Sequence, residues 1–91
     1  MVPPVLKIGG IDYTYTEAES WFESDGSDGE VFYDKQNGNK IFVNSRLSEG
    51  AMGVSLLHEA LHCMNSTLDH VALDSLAEQL YQFLHDNHLT F

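Results

Sequence analysis

Glu30-Val31-Phe32-Tyr33-Asp34-Lys35-Gln36-Asn37-Gly38-Asn39-Lys40-Ile41-Phe42-Val43-Asn44 is the stretch that decides the fold. Two β-forming runs flank Asn37-Gly38, and both turn residues tolerate positive φ, the strongest short signal for a hairpin. A two-residue loop there sets Phe32 opposite Val43 and Asp34 opposite Ile41, with Tyr33 opposite Phe42 on the other face. Upstream, Val5 to Ile8 reads as a short strand and Gly9-Gly10 as a tight turn or bend. Ile11 to Tyr15 resumes with β-formers in alternation. Residues 16–29 carry Glu17, Glu19, Glu23, Asp25 and Asp28 among Ser and Gly, and read as a loop pinned by Trp21, Phe22 or both.

Downstream, Ser45 to Gly50 reads as a turn, with Ser45 or Ser48 as helix N-cap. Helical periodicity starts near Ala51. Val54, Leu57, Leu61 and Met64 recur at steps of three and four, the pattern of a buried stripe. Asn65-Ser66-Thr67 interrupts it. Asp69 then caps a second helix with the stripe Leu73, Leu76, Leu80, Phe83 and Leu84. Strands come first and helices last. The expectation is an α+β fold: a small antiparallel sheet, made of the N-terminal strands plus the hairpin, packed on two C-terminal helices. With 91 residues, positions 1–91 form a single domain with one small core.

Composition narrows the function classes. Fourteen Asp and Glu against four Lys and Arg give a net charge of −10. Too few cations are present to neutralise phosphates, so neither a nucleic-acid binder nor a protein held on an anionic membrane is expected. The charge serves solubility, or imitates nucleic acid towards a basic partner. A single cysteine, Cys63, excludes an intramolecular disulfide and a cysteine-based zinc site. Met1 to Leu6 does not read as a signal peptide, and no run approaches a membrane span. A cytoplasmic location is expected.

The chemistry lies in Leu56-Leu57-His58-Glu59-Ala60-Leu61-His62. His58 and His62, four apart on a helix, share one face with Cβ atoms about 6 Å apart. Two imidazoles so placed reach one zinc ion at about 2.0–2.1 Å. Glu59 stands beside that ion, positioned to take a proton from bound water, the H-E-x-x-H arrangement of zinc peptidases. A third ligand is required, and the next helix is its natural source. His70, Asp74 and Glu78 share one face of that helix at steps of four, and spacing does not choose among them. Tyr81, two turns beyond Asp74, reads as a packed tyrosine or an oxyanion donor. Cys63 reads as a small core residue, His85 and His88 as surface residues.

Gly29-Glu30-Val31-Phe32-Tyr33, Ile41-Phe42-Val43-Asn44, the zinc-motif helix and Leu80-Tyr81-Gln82-Phe83-Leu84-His85-Asp86-Asn87 together resemble the small phage- and prophage-encoded zinc metallopeptidases of the ImmA/IrrE type. Lys7-Ile8-Gly9-Gly10-Ile11-Asp12-Tyr13 resembles their opening strands, so nearly the whole chain is covered. The resemblance implies a minimal zincin that hydrolyses protein or peptide substrates. It implies a third ligand just before a Leu-Ala pair, which here is Asp74, an Asp where that family usually has Glu. It further implies a substrate extended along the edge strand before the active helix, here Lys40 to Asn44, by strand addition. The expected zinc ligands are then His58, His62 and Asp74, with Glu59 as base. The expectation from a different class is a non-catalytic viral binding or inhibitor protein that keeps this fold and engages a basic host partner.

Overall fold

The computed structural model describes residues 2–18, 28–33 and 38–89. Four strands precede two helices: β1 (Val5–Ile8), β2 (Ile11–Ala18), β3 (Gly29–Phe32), β4 (Asn39–Asn44), α1 (Glu49–Met64) and α2 (His70–Asp86). The α+β plan expected from the sequence is the plan observed: one sheet covered on one face by α1, with α2 packed along α1.

The sheet is mixed, not wholly antiparallel. Its order is β1-β2-β4-β3, and β2 pairs parallel with β4 from Tyr13↔Asn39 to Ala18↔Asn44. β3 takes the outer position and β4 returns between it and β2. Two consequences correct the sequence reading. β2 extends to Ala18, so its last three residues are ladder, not loop; Trp21 and Phe22 lie outside the described residues. Lys40–Asn44, expected to be an edge, is central, and the edges are β1 and β3.

The hairpin register also differs from expectation. Gly29 faces Val43, Val31 faces Ile41 and Phe32 faces Lys40. The expected register would have put Asp34 opposite Ile41, a fully buried side chain. Desolvating that carboxylate is costly, whereas the observed register brings Val31 and Gly29 to the core face. The connection between β3 and β4 is therefore longer than two residues. Gly38 has φ +86, as a turn glycine requires, and Asn37 lies outside the described residues.

The core sits between sheet and α1: Ile8, Tyr13, Ile41, Val43 and Leu56, with Met52, Ala60 and Cys63 packed against it. The sheet-facing stripe of α1 is thus Met52, Leu56, Ala60 and Cys63, at steps of four, four and three. The expected stripe ended in Met64, which is exposed. The reason is that α1 is covered twice. Gly53 meets the Tyr81 ring of α2, and Leu57 and Leu61 follow Gly53 at steps of four on the same side. On α2 the buried residues are Leu73 and Ala77, while Leu76, Leu80 and Phe83 of the expected stripe are exposed. A helix lying on the outside of a two-layer core buries one narrow line.

Candidate metal centre

Local signals fix both helix starts. Ser48 accepts from the Ala51 amide at 3.2 Å and begins α1. Asp69 accepts from the Ala72 amide at 2.8 Å and begins α2. Between them the Asn65 side chain accepts from the Thr67 amide and hydroxyl at 3.1 and 2.6 Å, an Asx-type turn that reverses the chain. The link is short, so the first turns of α2 lie beside the last turns of α1. This brings His70 and Asp74 to His58 and His62.

The contacts there are specific. His58 Nδ1 and Asp74 Oδ1 are 2.9 Å apart. The His70 ring centroid is 5.7 Å from that of His58 and 6.5 Å from that of His62, with interplanar angles of 22° and 16°. Glu78, one turn beyond Asp74, lines the same cleft. That open cleft encloses about 570 Å³, and its lining among the described residues includes Asp28, Glu59, Asp74 and Glu78 but no Lys or Arg.

Glu59 is set apart from the other three. Burial, and then the charge of Glu30, push its carboxyl up to about 7. The burial comes from β3 crossing close over α1. A Cβ on Gly29 would stand 2.5 Å from Ser55 Oγ and 3.2 Å from Glu59 Cγ, so a side chain there would force Ser55 or Glu59 aside. Ser55 itself is buried. The Asn44 amide donates to the Asp28 carbonyl at 2.9 Å, which fixes the start of β3 at the cleft rim. Asp28, Gly29, Glu30 and Ser55 were not singled out as site residues by sequence reasoning. Ser55 carried a usable signal, because it lies three and seven residues before His58 and His62 on the same helix side.

The remaining candidates lie elsewhere. Tyr81 packs on Gly53 with its hydroxyl end near Gly50, and stacks on His85 at 5.9 Å. Cys63 packs against the core, accepts from the Tyr33 hydroxyl at 3.9 Å, and has its thiol pushed up by burial. His85 and His88 are exposed.

The donor set suits zinc in kind: imidazole nitrogens and a carboxylate oxygen. Two atoms on one tetrahedral zinc stand about 3.3 Å apart, close to the His58–Asp74 separation. His62 Nδ1 is buried and meets no hydrogen-bond partner among the described residues, a state that a bound ion would account for. As they stand, no three His, Cys, Asp or Glu among the described residues form an ion-holding group. Asp74 and His70 are both exposed on the side of α2 that meets the motif, and Asp74 already contacts His58. No described helix is long and apolar enough to cross a membrane. No family model, curated protein or solved structure matches this chain.

Proposed function

We propose that this chain is a zinc-dependent peptidase of the ImmA/IrrE type, with His58, His62 and Asp74 holding the ion and Glu59 as general base. The observation that carries this reading is the 2.9 Å contact between Asp74 and His58. It joins a carboxylate of α2 to the first histidine of the motif, one helical turn from His62, whose Nδ1 is buried without a hydrogen-bond partner among the described residues.

Zinc bound there would lower the pKa of its water to about 7 and polarise the scissile carbonyl. Glu59 takes the proton from the attacking water and passes it to the leaving amine. Gly29, having no side chain, leaves the room that Ser55 and Glu59 occupy under β3. The substrate backbone lies along β3, the outer strand whose first residue sits at the cleft, instead of along β4. The carboxylates at Asp28 and Glu78 favour neutral or basic substrate segments.

The test is Glu59→Gln, which keeps volume and hydrogen-bonding capacity but accepts no proton at neutral pH. The variant should fold, retain stoichiometric zinc, and hydrolyse peptides at least about 10²-fold more slowly. Loss of zinc from this variant makes Glu59 a ligand and ends the reading. Full retention of biological effect replaces it with a binding module for a basic partner, which the acidic cleft also suits.

A further inference from the structure

Of the two α2 side chains that reach the motif histidines, Asp74 has been given a task and His70 has not. His70 is the first residue of α2, exposed, and part of the cleft lining. It approaches both motif histidines at once, with ring centroids 5.7 and 6.5 Å away. Two imidazoles bound through ring nitrogens to one tetrahedral ion hold their centroids about 5 Å apart. Both separations therefore lie within roughly 1.5 Å of joint ligation.

We propose that His70 is a fourth, exchangeable ligand of the metal centre, holding in the resting protein the position that water and substrate need. The proposal rests on the zinc reading above. His58, His62, His70 and Asp74 together make four donors, the number of a closed structural zinc site; a catalytic site keeps three and an open position. Exchange is favoured by placement. Asp69 caps α2 through its own side chain, and Asp74 ties α2 to His58, so His70 can swing away without disturbing either hold. The centre is then latent until a substrate group displaces the ring.

The experiment compares wild type, His70→Ala, His70→Asn and His58→Ala by zinc titration against a chromogenic chelator and by visible spectra of the Co(II)-loaded proteins. Both His70 variants should bind zinc at least about tenfold more weakly and shift the Co(II) bands, as water replaces an imidazole. Their peptide turnover should rise. In the wild type, zinc should move the His70 ring resonances together with those of His58 and His62, a readout that needs no variant to fold. Unchanged zinc affinity and Co(II) spectrum in the His70 variants, or static His70 resonances, overturn the proposal. The three-ligand centre then still stands if His58→Ala loses zinc. A wild type that binds no zinc overturns both.

Discussion

Against the sheet, α1 lays Met52, Leu56, Ala60 and Cys63 over Ile8, Tyr13, Ile41 and Val43; against α2 it meets a helix whose buried side chains are Leu73 and Ala77. The first contact is mainly apolar, with Ser55 and Glu59 set against β3 at Gly29. The second is narrow, and along one border it becomes polar, where His58 pairs with Asp74 and His70 stands over both motif histidines. Along the other border Leu76 and Phe83 remain 46% and 57% exposed. The difference teaches where each half draws its stability. The sheet side relies on burial, which is indifferent to ligands. The α2 side has little burial, and an ion bridging the helices would supply what is missing.

A core truncation on the sheet side should have the largest effect. Ile41 is fully buried in the central strand. Ile41→Ala should cost about 2–5 kcal/mol in urea unfolding, from lost transfer energy plus the cavity left behind. The cost should be the same with zinc and with chelator. A loss that zinc repairs selectively would mean that the two sides of α1 are coupled through the metal.

Removing the metal probes the other side. Zinc held at a hundred times its Kd stabilises a native-only site by about 2.7 kcal/mol. Chelation should then lower the Tm of a domain this size by roughly 10–20 °C. Amide exchange should locate the effect: α2 amides should lose protection before those of β4. Equal loss in α2 and β4 would show one cooperative unit and dissolve the distinction between the two sides.

The same division runs through what the sequence made legible. Signals carried within a few residues could be read: the caps Ser48 and Asp69, the interruption at Asn65, and the four-residue step from His58 to His62. Signals set by distant partners could not. The parallel pairing of β2 with β4 depends on a crossover that strand composition does not encode. The hairpin register departs from the one Asn37-Gly38 suggests and places Val31 opposite the buried Ile41. The periodicity of α1 reads as a single stripe, where coverage from two sides makes two. At the site, spacing left His70, Asp74 and Glu78 equivalent. The direction of α2's narrow buried line separates them, bringing Asp74 and His70 to the motif and leaving Glu78 further along the cleft. The burial of Glu59 needed β3 to cross at Gly29, which no local pattern announces.

The smallest effect tests whether the α1–α2 contact, narrow as it is, is still closely fitted. Gly53 lies inside α1, where glycine costs about 1 kcal/mol relative to alanine by helix propensity. A Cβ there would stand 2.5 Å from Tyr81 Cε2 and 2.9 Å from Cδ2, the side of a ring and not a flexible tip. Overpacking of that kind costs about 1–3 kcal/mol. Gly53→Ala should therefore come out neutral to about 2 kcal/mol destabilising, in spite of its better propensity. In a Tyr81→Ala background the obstacle is gone, and the same substitution should stabilise by up to about 1 kcal/mol. The double-mutant cycle should thus return a coupling of about 1–3 kcal/mol, the size expected of residues in contact. Additive effects would mean that the Tyr81 ring moves aside at no cost, and that α2 rests on α1 without a fitted seam.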